Sequence, residues 1–169
     1  MESLINQERG VIRPNSLNPR QVKLILVPTS LSASEWNHYG SCTNPEGKKQ
    51  HFYHITGACD LLLLDPRLAA TAPEDLWLSS GVRAIDHCVE TMCNVKGTED
   101  SNKHAEMGLR KLLKGLKEYK DEKGKEDDDE KLVVGILDCQ LGARESIMGA
   151  IMWRIGVGAS HAIGHQLGE

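Results

Sequence analysis

Two histidines, His161 and His165, stand four apart in the stretch His161-Ala-Ile-Gly-His165-Gln-Leu-Gly-Glu169. On a helix, positions i and i+4 share a face, so both imidazoles would point into one cleft, where a metal or a reacting carbonyl could sit between them. A third imidazole, His87, lies in Gly81-Val-Arg-Ala-Ile-Asp-His-Cys-Val-Glu90 beside Asp86 and Glu90. Glu90 is i+4 from Asp86 and i+3 from His87, so on a helix it neighbours both. Three imidazoles from two helices suit Zn²⁺ or Fe²⁺, because neutral imidazole is a borderline ligand and facing helices commonly build such sites. The competing reading for each histidine is a core residue bonded to a carbonyl. A hydrolase of the two-histidine zinc-helix type is disfavoured, because Ala162 stands where that motif needs its glutamate.

The elements that must position these groups follow from the pattern of apolar residues. Val22-Lys-Leu-Ile-Leu-Val27, stopped by Pro28, and Asp60-Leu-Leu-Leu-Leu-Asp65, stopped by Pro66, have the character of short buried parallel strands. Thr29-Ser-Leu-Ser-Ala-Ser34 then forms a hydroxyl-rich loop, and residues 41–50, with Pro45 and Gly47, a loop or hairpin turn. From Pro73 the period changes. Proline in the first turn, followed by Glu74 and Asp75, opens a long helix to about Asn94, with a break expected near Ser79-Ser80-Gly81. Leu109, Leu112, Leu113 and Leu116 mark the buried stripe of the next helix, and Leu132–Met152 reads as another. The charged run Tyr119–Lys131 is expected to be a solvated connector that buries nothing. The fold class is therefore α/β followed by all-α: a polar arm over 1–21, an α/β portion over 22–72 and a helical portion over 73–169.

Composition narrows the partners. The chain of 169 residues is 40% hydrophobic, enough for an ordinary core, and its net charge of −4 argues against a nucleic-acid partner. The longest apolar run, Leu61–Leu64, is far below the ~20 residues of a bilayer span, so a cytoplasmic or mitochondrial-matrix location is expected. Five scattered cysteines without a Cys-x-x-Cys pair suit reduced thiols.

Four segments occur in a recognisable order: Val27-Pro-Thr-Ser-Leu-Ser-Ala-Ser-Glu35, Leu64-Asp-Pro66, Ser80-Gly-Val-Arg-Ala-Ile-Asp-His-Cys-Val-Glu90 and Gly158-Ala-Ser-His-Ala-Ile-Gly-His-Gln-Leu-Gly168. Together they resemble the iron-containing (group III) alcohol dehydrogenases, particularly the maleylacetate reductase branch, over residues 22–169. The resemblance implies part of a Rossmann-like nucleotide-binding domain followed by the first part of a helical metal and substrate domain. It implies hydride transfer between NAD or NADP and a small carbonyl or alcohol substrate. Thr29, Ser30, Ser32, Lys49 and Asp65 then lie on the cofactor side, His87 and His161 match metal ligands for Fe²⁺ or Zn²⁺, and His165 matches the histidine that assists substrate or delivers a proton.

The chain departs from that family in three places. Arg83 stands where metal-dependent members carry an aspartate ligand, and a guanidinium cannot ligate a cation but can grip a substrate carboxylate. No glycine-rich phosphate loop precedes Pro28, and the family's last histidine ligand has no counterpart before Glu169. The resemblance is therefore to an internal section of a longer dehydrogenase, expected to be marginally stable. The alternative is a non-catalytic remnant that pairs with a full-length homologue; the partner expected otherwise is a second copy of the chain in a homo-oligomer.

Overall fold

The structure, a computed structural model, describes residues 4–5, 20–47, 49–53, 57–125, 129–156, 158–160 and 163. It is mostly helical with few strands, and the chain divides into two units.

One unit, residues 1–26 and 34–62 with Glu169, holds the strands. Strands β3 (Tyr39–Thr43) and β4 (Lys49–Tyr53) form the hairpin expected around Pro45 and Gly47, and β1 (Leu4–Ile5) adds antiparallel to β4, giving the order β1-β4-β3. Gly47 closes the turn, donating to the Asn44 carbonyl at 3.0 Å with φ of 77°, a left-handed conformation that glycine adopts without penalty. The two apolar runs shrink to β2 (Ile25–Leu26) and β5 (Leu61–Leu62), paired in parallel with Ile25 opposite Leu61, and they are not the buried strands expected, since Ile25 is 58% and Leu61 51% exposed. Asp60 ties the pair together. Its carboxylate accepts the Leu24 N–H at 2.8 Å, the Arg20 guanidinium at 2.6 Å and the Lys23 ammonium at 3.1 Å. These donors, the Leu24 amide foremost, hold the Asp60 carboxyl below its ordinary value.

The other unit, residues 27–33 and 63–168, is a helix assembly. Its elements are α1 (Pro66–Ala69), α2 (Glu74–Cys93), α3 (Glu99–Glu122) and α4 (Asp129–Met152). Helix α2 is continuous through Ser79-Ser80-Gly81. Both serine hydroxyls donate back to the Leu76 carbonyl, which satisfies them inside the helix. Helix α3 starts on a capping box, with Ser101 N–H donating to Thr98 Oγ1 and Thr98 N–H to Ser101 Oγ.

The α3–α4 seam differs from the leucine stripe expected for it. The buried line on α3 is Ser101, Ala105, Gly108, Leu112, Gly115 and Tyr119, spaced alternately four and three apart, whereas Leu113 is 55% exposed. Glycines set the spacing of this seam. A Cβ on Gly115 would fall 2.5 Å from the Gly135 carbonyl oxygen, and one on Gly142 2.9 Å from the Leu112 amide nitrogen, so the two backbones lie almost in contact. The same line corrects the reading of Tyr119–Lys131 as wholly solvated. Tyr119 is 1% exposed and packs on Trp77 of α2, with ring centroids 5.8 Å apart, because it falls on the buried face four residues beyond Gly115. Lys111 and Lys114 both reach Asp138 across the rim of the seam, at 3.0 and 2.7 Å. No helix among the described residues is long and apolar enough to cross a membrane.

Candidate functional site

Helix α2 carries the candidate chemistry along its length. Ser80, Gly81, Ala84, His87, Cys88 and Thr91 line its buried face, while Arg83 is exposed. Adjacent residues on a helix diverge by about 100°, so Arg83 and His87, one turn apart, lean in neighbouring directions that Cys88 does not share. Cys88 is no partner for His87: burial pushes its thiol up to about 12, and a buried thiol of that kind is inert.

The hydroxyl-rich loop packs in the same unit as this helix. Leu31, 1% exposed, is its anchor. The Leu31 N–H donates to Ser80 Oγ at 3.0 Å, and its side chain lies beside Gly81, where a Cβ would come within 3.2 Å of Leu31 Cδ1. From α4, the Gln140 side-chain amide reaches the Pro28 carbonyl at 3.4 Å. Ala33 leaves the loop with φ of 58°, a left-handed turn that is uncommon outside glycine. With Leu31 pinned, Thr29 is exposed and Ser30 and Ser32 are half-buried, their hydroxyls 3.2 Å apart.

His87 is 7% exposed. Burial lowers its pKa, the Arg83 charge lowers it further, and Asp86 and Glu90 oppose both with smaller effects. The imidazole is therefore neutral near pH 7, the form that ligates a cation or accepts a proton.

Glu90 and Asp86 do something the sequence did not reveal. Glu90 accepts the N–H of Gly158 at 2.8 Å through Oε2 and that of Ser160 at 3.0 Å through Oε1, while the Ser160 hydroxyl donates to Asp86 Oδ1 at 2.6 Å. The signal available beforehand was the i,i+4 pair of carboxylates, which needs a donor between them to relieve its repulsion. A cleft of about 420 Å³ beside these contacts is lined by Glu90, Cys93, Asn94, Val95 and Gly158 to Ser160.

The remaining candidates are placed as follows. Asp65 caps α1, its Oδ1 accepting the N–H groups of Arg67 and Leu68 at 3.0 Å each. Lys49 begins β4 in the strand-bearing unit. His161 and His165 lie outside the described residues. A cation would find one expected imidazole, His87, among the described residues, beside a guanidinium and two carboxylates that already accept hydrogen bonds from Ser160 and Gly158. Those residues do not by themselves fit a metal. The hydroxyls of Thr29, Ser30 and Ser32 do suit the oxygens of a nucleotide.

The fold has counterparts among solved structures. An iron-containing alcohol dehydrogenase from Corynebacterium glutamicum superposes with a TM-score of 0.71 at 19% identity, over 87% of this chain and 38% of that one. The fold is that of the iron-containing alcohol dehydrogenases. Maleylacetate reductase from Rhizobium sp. shares this dehydrogenase fold with a TM-score of 0.71 at 20% identity, over 87% of this chain and 39% of its own. So does sulfoacetaldehyde reductase from Bifidobacterium kashiwanohense, a structure in complex with NAD⁺, with a TM-score of 0.62 at 16% identity, over 76% of this chain and 34% of that one. Among curated proteins, Dehydrogenase ALT3 of Alternaria alternata is 34% identical over an alignment of 168 positions that covers 90% of this chain. The chain spans 41% of the length of the curated relatives it matches. No family model matches it.

Proposed function

We propose that the chain belongs to a nicotinamide-dependent oxidoreductase that interconverts alcohols with aldehydes or ketones, or reduces maleylacetate. The observation that carries this reading is the Leu31–Ser80 hydrogen bond, which fastens the hydroxyl-rich loop to the helix bearing Arg83 and His87. On this reading, Thr29, Ser30 and Ser32 would share one helix assembly with Arg83 and His87. The strands around Ile25 and Leu61 are then part of a Rossmann-like nucleotide-binding region, with Asp65 at the strand end and Lys49 on the cofactor side.

Thr29, Ser30 and Ser32 would hold the cofactor by donating hydrogen bonds to its oxygens. When bound, NAD or NADP supplies or accepts the hydride. Arg83, an exposed guanidinium, orients a substrate carboxylate by bidentate contact, which favours the maleylacetate reductase-like, metal-independent branch. His165 delivers the proton that the developing alkoxide requires. Neutral His87 lies buried one turn along α2 from Arg83.

The test is oxidation of NADH and of NADPH by the purified chain with maleylacetate and with short aldehydes, each with and without added Fe²⁺ or Zn²⁺. Turnover is expected, with Arg83→Ala raising KM for maleylacetate at least about tenfold and leaving KM for uncharged aldehydes nearly unchanged, the size of a lost charge-assisted contact. A well-folded sample that oxidises neither cofactor under any of these conditions defeats the proposal.

A further inference from the structure

We propose that Glu90, assisted by Asp86, is a positioning residue that fixes the start of the segment leading into His161 and His165. The inference rests on the oxidoreductase reading only for the role of those two histidines. Its structural basis is independent.

One carboxylate takes two backbone N–H groups two residues apart, Gly158 on Oε2 at 2.8 Å and Ser160 on Oε1 at 3.0 Å. Ala159 and Ser160 are helical, so these are N–H groups at the beginning of a helical turn, which have no carbonyl of their own helix to bond. A carboxylate satisfies them and favours the positive end of the peptide dipoles. The Ser160 hydroxyl adds a third link, its single proton lying between Asp86 Oδ1 at 2.6 Å and Glu90 Oε1 at 2.5 Å, and Asn94 a fourth, its side-chain amide donating to the Gly156 carbonyl at 3.1 Å. All four join the C-terminal half of α2 and its C-cap residue Asn94 to a stretch more than sixty residues later in the chain.

Gly158 shows that the fit is close. A Cβ there would fall 2.5 Å from Glu90 Oε1 and 2.7 Å from Glu90 Cδ, so a larger residue would force the Glu90 carboxylate to shift from its present contacts with both amides. His161 follows Ser160 directly in sequence, and His87 stands three residues before Glu90. The clamp thus couples Ser160, which immediately precedes the histidine pair in sequence, to the helix that carries His87. Glu90 needs no contact with substrate or cofactor for this. It acts through the backbone of the segment it holds.

The experiment compares the full 169-residue chain with Glu90→Ala, Glu90→Gln and Gly158→Ala, reading amide hydrogen exchange together with kcat and KM for NADH oxidation by maleylacetate. In Glu90→Ala, exchange at Gly158 and Ser160 should quicken at least about tenfold while Leu112 and Ile136 in the α3–α4 seam stay unchanged, as expected when charge-assisted hydrogen bonds are lost locally. Gly158→Ala should reproduce that result with Glu90 intact, because the added methyl displaces the carboxylate. Glu90→Gln, which keeps one good acceptor oxygen, should fall between. In all three variants kcat should drop in step with the exchange, and KM for NADH should hold within about twofold. Unchanged exchange at Gly158 and Ser160 in Glu90→Ala overturns the proposal. A fall in kcat with no change in exchange also overturns it, since Glu90 would then act on the chemistry directly. Turnover by the parent chain tests the oxidoreductase reading and exchange tests the clamp, so the two fail separately.

Discussion

Replacing Gly115 by alanine separates packing from helix propensity in the α3–α4 seam. The new Cβ would lie 2.5 Å from the Gly135 carbonyl oxygen, 2.7 Å from Cys139 Sγ and 2.9 Å from the Cys139 amide nitrogen. Two of those three atoms are backbone, so no side chain can swing aside to accommodate it. Bringing the first contact to an ordinary 3.4 Å requires the helices to part by about 0.9 Å at that point. Overpacking a core costs ~1–3 kcal/mol, and a clash between two main chains belongs at the upper end of that range. Alanine recovers about 1 kcal/mol of helix propensity over glycine. The net expectation is a loss of about 2 kcal/mol, or roughly 4–8 °C in Tm for a chain of this size. Urea denaturation followed by circular dichroism measures it. Gly156→Ala is the control, since nothing lies within 4 Å of the Cβ position there and its stability should change by less than about 0.5 kcal/mol. Adding Cys139→Ala should not rescue Gly115→Ala, because the Gly135 oxygen remains. If Gly115→Ala proves as stable as the parent, the account of the seam as a backbone-to-backbone contact is wrong.

Three further outcomes follow from other contacts. Ser80→Ala strands the buried Leu31 N–H, so stability should fall by ~1–3 kcal/mol and KM for NADH should rise; a change below about 0.5 kcal/mol would show that the loop is not held there. Cys88 and Cys139, whose thiols burial pushes up to about 12, should resist alkylation at mildly alkaline pH until the chain unfolds, while exposed Cys93 reacts at once; peptide mass mapping after a timed iodoacetamide pulse checks this, and early labelling of Cys88 would contradict its burial. His87 has a pKa below its unfolded value of about 6.5, so the unfolded chain binds the proton more readily. Its contribution to stability is complete above that value and is lost as pH falls through the window between the unfolded and folded pKa. Urea midpoints should therefore decline on acidification in the parent and more gently in His87→Gln; parallel slopes would remove His87 as the cause.

Much of the helical architecture could be read in advance because it obeys a period. Pro73-Glu74-Asp75 marks the start of α2, and the stretch Leu132–Met152 lies within α4. The α3 seam was less legible because hydrophobicity was the wrong signal: the residues that meet α4 are chosen for smallness, and Gly108 and Gly115 carry no apolar side chain to notice. Tyr119 was hidden by its neighbours, since composition averages over a window whereas burial depends on one face. In the candidate site, His87 and the Thr29–Ser32 hydroxyls were visible as residue types. Their support was not: the Leu31–Ser80 bond spans 49 residues and the Glu90–Gly158 bond 68, and no local pattern announces a contact at such separation.

Helix α2 serves as a ruler. Ser80, Arg83, His87 and Glu90 are stations along one rigid rod, set by its rise of about 1.5 Å per residue: about 10 Å from the loop anchor to His87 and about 15 Å to the carboxylate clamp. A single inserted or deleted residue between Ser80 and Glu90 would turn the later stations by about 100° relative to the first, uncoupling the loop from both. Substitutions on the exposed side of the rod away from Arg83 can be absorbed, but its length cannot be edited. In any lineage that keeps this site, the tract from Ser80 to Glu90 should therefore vary in residue type and never in residue count, while the turn after Glu122 accommodates insertions.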